Sequence, residues 1–151
     1  MALTLPEEVT DFIARHHVMS LATQGDAGPW AAAVFYVLHE GDLVFLSSPN
    51  SRHCTQLASD ARCAATIQGQ PDDWRAIRGV QLEGRAGELQ GIERERAREA
   101  YAARFAFVRP VGAPAAIVAA LARVRWYRLR IARLYFIDNA QGFGARRCFD
   151  A

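Results

Sequence analysis

The residues best suited to chemistry lie in one loop, Ser47 to His53, with the sequence SSPNSRH. Hydroxyl groups, a guanidinium and an imidazole follow one another here, and Ser51 is placed to cap a helix that begins at Arg52. A helix N-terminus attracts anions through its free N–H groups, and an arginine can bind phosphate with two parallel hydrogen bonds. The loop therefore indicates a phosphate site, but a capping turn with a solvated arginine fits the same residues.

Few other side chains carry a functional signal. Trp74 lies in a polar loop, Gly69 to Arg75, where an indole can cover a planar ligand. His16 and His17 end the first predicted helix, where cationic groups suit the helix dipole. They are accompanied by no acid or cysteine at metal-ligand spacing. We therefore assign no metal site and no catalytic residue from the sequence.

The elements that must position this loop follow from hydrophobic patterning and turn residues. Strands that follow one another through short turns, with few helices between them, favour a small antiparallel barrel of the α+β class over a doubly wound sheet. The run Trp30 to His39 is apolar almost throughout, which indicates burial on both faces, in a closed barrel or an interface. The predicted helices are Leu5 to His16, Arg52 to Ser59 with Leu57 and Ala58 facing inward, Ile92 to Phe107 and, after an interruption at Arg109 to Pro114, Ala115 to Ala122; the predicted strands are Val18 to Thr23, Trp30 to His39, Leu43 to Ser47, Arg62 to Gln68, Gly79 to Leu89 and Val124 to Ile137, followed by an irregular tail, Asp138 to Ala151.

The composition excludes several classes of protein. A chain of 151 residues, 51% hydrophobic and 23% charged, predicts one folded domain over 1–151. The net charge of +2 is too small to indicate a nucleic-acid or membrane partner. All 18 basic residues are arginine, so no lysine is present for Schiff-base chemistry.

The sequence predicts a cytoplasmic protein. Its apolar runs are shorter than the roughly 20 residues that cross a bilayer. The opening sequence MALTLPEEVTDF carries acids and no basic segment where a signal peptide would begin. The three cysteines, Cys54, Cys63 and Cys148, contain no CxxC pair and are expected to be reduced thiols.

The order of several short motifs resembles a known family. These motifs are Ser20-Leu21-Ala22-Thr23, Gly28-Pro29-Trp30 with the strand Ala31 to Leu38, Leu43-Val44-Phe45-Leu46-Ser47-Ser48, Ser51-Arg52-His53, and Gly79-Val80-Gln81-Leu82-Glu83-Gly84. Together they are similar to the FMN-binding split-barrel family of pyridoxamine 5′-phosphate oxidase. The tail segments Tyr135 to Asn139 and Gly142 to Gly144 look like a small uncharacterised branch of it. The resemblance implies a six-stranded antiparallel split barrel, a homodimer, and FMN bound at the subunit interface.

The same resemblance implies which residues hold the cofactor. Ser47, Ser51, Arg52 and His53 occupy the positions that grip the flavin phosphate in the family. The backbone of the second strand would face the edge of the isoalloxazine ring, and Gln81 would lie near it. The full set of expected cofactor-binding residues is Ala32, Ala33, Val34, Leu46, Ser47, Ser48, Ser51, Arg52, His53, Trp74 and Gln81.

Three departures from the family pattern narrow the expected activity. His53 stands where the family has lysine, and Ala31 and Tyr36 stand where true oxidases carry Arg and Lys. The C-terminal Arg-x-His motif of those oxidases is absent from the closing residues Arg146 to Asp150. We therefore expect a flavoprotein that passes electrons from a reduced nicotinamide to a small acceptor other than a B6 vitamer. Open alternatives are a non-catalytic flavin-binding module, a barrel that binds haem or a deazaflavin, and an empty scaffold.

Overall fold

A computed structural model describes residues 2–109 and 111–151. They form an eight-stranded antiparallel sheet with four helices. The helices are α1 (Glu7–Arg15), α2 (Arg52–Ser59), α3 (Gly91–Arg104) and α4 (Ala115–Leu121); the strands are β1 (Val18–Gly25), β2 (Gly28–Phe35), β3 (Val37–His39), β4 (Asp42–Ser47), β5 (Arg62–Gln68), β6 (Arg78–Glu88), β7 (Arg125–Asp138) and β8 (Arg146–Asp150).

The order of strands forces the sheet to curl into a barrel. The order is β2-β1-β5-β6-β7-β4-β3, with β8 on the free part of the β7 edge. The outermost strands β2 and β3 are joined by Tyr36 alone, and one residue spans at most about 3.6 Å. The two edges of the sheet must therefore meet at this point. The predicted strand Trp30 to His39 is in fact two strands, because the chain changes partners from β1 to β4 at Tyr36.

Tyr36 fixes the position of the chain between β2 and β3. Its side chain is completely buried, and its hydroxyl donates a hydrogen bond to the Ile13 carbonyl of α1 at 2.5 Å. Its backbone N–H also bonds to the carbonyl of His17, just before β1. The backbone of α1 and the residue just before β1 are thus both bonded to Tyr36 where the barrel closes.

The barrel interior is filled by the strands and by helices at both ends. Phe12 and Ile13 of α1 enter at the end where β7 finishes, and Phe12 meets the Phe136 ring edge-on at 5.5 Å. Leu57 of α2 enters at the other end. The strands contribute Met19, Leu21, Phe45, Ile67, Leu82, Leu129 and Leu134, among others. This is the alternating, one-sided burial expected of barrel strands.

A second apolar cluster lies outside the barrel, where α3 covers β3, β4 and the start of β7. Tyr101 of α3 packs edge-on against Trp126 at 5.2 Å, and Val44 of β4 is completely buried beneath them. The prediction that Trp126 belongs to a core is confirmed. Leu46, which was predicted to bind the cofactor, is partly buried and packs against this cluster.

Most predicted elements are confirmed, and the exceptions are specific. The α2 helix and β5 have the predicted bounds, but Ala58 is exposed rather than inward-facing. The tail is not irregular, because Arg146–Asp150 forms β8 against β7. The strands number eight rather than six. Pro110, within the predicted interruption, lies outside the described residues, and in the residues described no helix is long and apolar enough to span a membrane.

The buried phenols and thiol predict alkaline instability. Burial raises the pKa of Cys63 and of Tyr101 to about 12, and it also raises the pKa values of Tyr36 and Tyr127. In the unfolded chain these groups ionise at about pH 9–10, so the unfolded state loses protons first as the pH rises. The stability they contribute is complete below about pH 9 and is lost towards pH 12. We expect the urea midpoint of unfolding to fall steadily from pH 8.5 to pH 10.5; a flat profile would contradict this.

Candidate functional site

The predicted loop is a rigid turn at the start of α2. Ser51 is the N-cap, in an extended conformation, and its Oγ accepts a hydrogen bond from the Cys54 N–H at 3.3 Å. The same hydroxyl donates to the Ser48 carbonyl at 2.7 Å, and the Asn50 N–H donates to Ser48 Oγ. The first helical N–H groups, on Arg52 and His53, have no preceding helical carbonyl to bond. The turn therefore presents donors at a fixed position.

His53 joins the end of β4 to the start of α2. Its side chain is only 8% exposed. Its Nε2 atom lies 2.6 Å from Ser47 Oγ and 3.3 Å from Ser51 Oγ. Three residues predicted to act together, Ser47, Ser51 and His53, are thus brought together by the fold. Ser48 lies beside them, exposed in the turn.

Arg52, which lies between Ser51 and His53 in the sequence, is exposed and contacts the β1–β2 hairpin. Its guanidinium carbon is 4.5 Å from the centre of the Trp30 ring, and Nη2 donates to the Ala27 carbonyl at 3.2 Å. Within the described part of the chain this is the one hydrogen bond that the guanidinium donates, so four of its five N–H groups can bind an anion. A cleft of about 730 Å³ begins here and runs along the exposed side of α2.

The thiol behind the cluster has a perturbed pKa. Burial works to raise the pKa of Cys54, but hydrogen bonds with His53, Ser51 and Tyr127 act more strongly and lower it. A lowered pKa favours thiolate, the reactive form of cysteine. The Cys54 side chain is nevertheless only 3% exposed, so the geometry gives a substrate no access to the sulfur.

The predicted strand residues lie on both faces of β2. Ala32 and Val34 are half-buried opposite Leu21 and Met19 of β1. Ala33 points to the opposite, outer face and is exposed. The strand is therefore not buried on both faces within one chain. Its exposed edge and small side chains leave room for a second molecule.

Trp74 and Gln81 are not brought to the loop within one chain. Trp74 lies beside Asn139, whose Nδ2 donates to the Trp74 carbonyl at the far end of β7 from Ser47. Its indole is 45% exposed and meets the Phe143 ring edge-on at 5.7 Å. Gln81 lies midway along β6 on the exposed outer face.

Two residues at the site were missed from the sequence. Trp30 supports the Arg52 guanidinium, and Gln56 of α2 is buried against the β1–β2 turn. The Gly28-Pro29 turn was a signal that Trp30 is held in a defined place. A glutamine in a short helix gives no comparable signal. Across the part of the chain described here, no three His, Cys, Asp or Glu side chains gather closely enough to hold a metal ion.

Comparison with known proteins identifies this architecture. A family model described as "Pyridoxamine 5′-phosphate oxidase" matches residues 5–138, which contain the whole loop, α2 and seven strands of the sheet. The chain belongs to the pyridoxamine 5′-phosphate oxidase family. Within this family it is similar to the UPF0306 protein YhbP of Escherichia coli (strain SMS-3-5), with 32% identity over 140 residues, 91% of this chain and 88% of that protein.

Solved structures share the split-barrel fold. A haem-binding protein from Mycobacterium smegmatis superposes with a TM-score of 0.76 at 28% identity, over 98% of this chain. The chain spans 60% of the length of that protein. An FAD-binding protein from Mesorhizobium loti has a TM-score of 0.62 at 17% identity, which is a likeness of fold alone. Members of this architecture thus include proteins described as binding haem or a flavin.

The structure shows where the residues that depart from the oxidase pattern lie. Tyr36 is in the core, bonded to Ile13, and cannot replace a lysine that faces a ligand. Ala31 is exposed on β2 and offers no charge. The residues where the family's Arg-x-His motif would be expected form β8, in which Arg147 is ion-paired with Glu8 of α1. At positions 31 and 36 the chain thus presents no cation to a ligand, in contrast to what the resemblance implies for the true oxidases.

Proposed function

We propose that this protein binds FMN, with the phosphate held at the start of α2. The observation that carries the proposal is the convergence of Ser47, Ser51 and His53 beside an exposed Arg52. The Arg52 guanidinium, the Ser47 hydroxyl and the first N–H groups of α2 form a donor set suited to a phosphate dianion. The Ser51 hydroxyl, which donates to the Ser48 carbonyl, and the buried His53 fix the turn that presents them. No carboxylate is among these groups. The donor set therefore fits the phosphate of FMN.

The ring of the flavin is proposed to lie along β2. Its residues Ala31, Ala32 and Ala33 are small, so a planar ring can approach the backbone closely. In the same proposal, the domain of 1–151 forms a homodimer through this apolar, exposed strand, on which Phe35 is half-exposed. Trp74 and Gln81 would then reach the flavin from the second copy, because neither lies near the loop of its own chain.

The proposed activity is electron transfer between a reduced nicotinamide and a small acceptor. When bound, FMN supplies the chemistry of hydride acceptance and release. The residues of this chain hold the phosphate, fix the orientation of the ring along β2 and keep the Cys54 thiol away from it by burial. No side chain is assigned as an acid or base, and a B6 vitamer is not the proposed acceptor.

Haem is the second candidate ligand, and it rests on the 28% identity with the haem-binding protein from M. smegmatis. His53 Nε2 is engaged by two hydroxyls, and His16 Nδ1 is bonded to the Phe12 carbonyl at 2.7 Å. His17 is exposed, with its ring 5.9 Å from that of Phe105, in an aromatic surface that also contains Phe35. Of these three, His17 is the residue open to an iron atom.

Absorption spectroscopy separates these candidates. We expect the purified protein to bind FMN stoichiometrically, with flavin bands that bleach when a reduced nicotinamide is added without oxygen. Sedimentation equilibrium on the loaded protein is expected to give a dimer. Flavin bands that resist reduction would favour the non-catalytic binding module. A Soret band on titration with haemin, with no uptake of FMN, would replace the flavin by haem, and uptake of neither would leave the family fold as a scaffold.

A further inference from the structure

We infer that Gln56 is the positioning residue that holds the phosphate loop in register with β2. This inference rests on the proposed FMN site, because it concerns how the two halves of that site are held together. One half is the start of α2, which offers the phosphate donors. The other half is β2, which follows the β1–β2 turn. Gln56 lies between them.

The side chain of Gln56 is buried and both of its polar atoms are used. It is only 7% exposed. Oε1 accepts a hydrogen bond from Thr23 Oγ1 of β1 at 2.7 Å, and Nε2 donates to the Gly28 carbonyl at the start of β2 at 3.1 Å. Thr23 is itself only 4% exposed. Buried, satisfied hydrogen bonds of this kind fix a unique arrangement, since breaking them leaves polar groups unpaired.

The β1–β2 hairpin packs closely against the Gln56 side chain at Gly25. A Cβ atom added to Gly25 would lie 3.0 Å from Gln56 Cγ and 3.2 Å from Nε2. A larger residue at position 25 would therefore crowd the glutamine and make its side chain shift. The approach places the carbonyls of the β1–β2 turn within reach of α2.

Gln56 acts together with Arg52, which lies one helical turn before it. Residues four apart share a face of a helix. Arg52 binds the Ala27 carbonyl and Gln56 binds the next carbonyl, that of Gly28. Two successive carbonyls of the turn are thus held by two successive turns of α2. If Arg52 moves to bind a phosphate, Gln56 is the contact that keeps the helix in place.

The role requires an amide in particular. The Thr23 hydroxyl needs an acceptor and the Gly28 carbonyl needs a donor, and a primary amide supplies both on one planar group. Glutamate has the same shape, but it can donate to Gly28 only when protonated. Methionine has a similar length and can do neither. The two substitutions therefore distinguish hydrogen bonding from packing.

The experiment measures FMN affinity as a function of pH. We expect Gln56→Glu to bind FMN about tenfold more weakly than the wild type at pH 8, where the carboxylate faces the Gly28 carbonyl. At pH 5 the ratio to wild type is expected to shrink to within about threefold, because burial raises the pKa of a carboxyl group and favours the donating form. Gln56→Met is expected to bind FMN about tenfold more weakly than the wild type at both pH 8 and pH 5.

Hydrogen exchange of the ligand-free proteins gives a second measurement. In Gln56→Met the amides of the β1–β2 turn and the first turn of α2 should exchange faster, while those of α3 should not change. Gln68→Glu, an exposed glutamine at the end of β5, is the control for added charge and should match the wild type throughout. Dissociation constants are compared only under conditions where thermal melts show every variant to be folded.

Each outcome is decisive. FMN binding by the wild type with unchanged affinity in both Gln56 variants would overturn the role of Gln56, even if their melting temperatures fall, because that pattern describes a purely structural contact. A failure of the wild type to bind FMN would instead overturn the proposed function, and this inference with it. If Gln56→Glu does not fold, the pH-independent loss in Gln56→Met still decides the question.

Discussion

Gly84→Ala is expected to destabilise the protein by about 3 kcal/mol or more, the upper end of what overpacking costs. A Cβ atom at this position would lie 1.9 Å from the carbonyl oxygen of Arg130 and 2.9 Å from its carbonyl carbon. Both are backbone atoms of β7, which is central to the sheet, so they cannot move aside cheaply. Gly84 also marks the shift in register between β6 and β7. The measurement is the urea midpoint of unfolding.

The same strand offers the matched control. Gly87 lies three residues further along β6, and a Cβ atom added there meets nothing within 4 Å. Gly87→Ala is therefore expected to change stability by less than about 0.5 kcal/mol, as exposed substitutions commonly do. Equal effects of the two substitutions would show that the close approach of β6 and β7 at Gly84 is wrong.

Arg52→Ala is expected to weaken FMN binding by about 1.5–3 kcal/mol, the value of a hydrogen bond to a charged group. That loss corresponds to roughly 10- to 150-fold in the dissociation constant. The reason is that Arg52 is the cation of the proposed phosphate site, where its contact with Trp30 holds it in place. Fluorescence titration with FMN measures the change.

The control for Arg52→Ala is the removal of another exposed arginine, away from the proposed phosphate site. Arg98 of α3 is exposed and, among the residues that the structure describes, is paired only with Glu95, at 3.8 Å, so Arg98→Ala should leave the affinity unaltered. Arg52→Lys keeps the charge but loses the planar fork, and it is expected to fall between alanine and wild type. Full affinity in Arg52→Ala would remove this residue from the phosphate site.

The parts of the fold that were predicted correctly depend on local signals. Ser51 caps α2 at the predicted residue because the loop before it contains the necessary hydroxyl, proline and asparagine. The bounds of β5 follow from its alternating pattern. The start of α1 lies within two residues of the predicted Leu5, because Pro6 and the glutamates after it mark the helix N-terminus. In each case the information lies within a few residues of the element.

The parts that were missed depend on residues far apart in the sequence. The division of the second strand at Tyr36 results from its contact with Ile13 in α1. The tail that contains β8 was predicted to be irregular because it contains glycines, and β8 forms because β7 has a free edge opposite β6. Neither the Tyr36–Ile13 contact nor the free edge of β7 can be recognised from a few consecutive residues.

The residues of the candidate site were likewise predicted where they are close in the sequence and missed where they are far apart. Ser47, Ser51 and His53 were found because they are close in the sequence, and the fold brings them within hydrogen-bonding distance. Leu46, another predicted cofactor-binding residue, packs against the cluster under α3, a contact that its local sequence does not indicate. Gln56 was missed because its two partners, Thr23 and Gly28, are distant in sequence.

The pairing of β4 with β7 has a consequence for how the chain acquires its structure. Leu43 and Leu129 are direct neighbours in the sheet, although one belongs to the first third of the sequence and the other to its last part. During synthesis, β4 leaves the ribosome long before its partner exists. Long-range pairing of this kind slows folding, typically to milliseconds or longer. The barrel therefore closes only after β7 has emerged, and until then the apolar residues of β4 lack the strand that pairs with them.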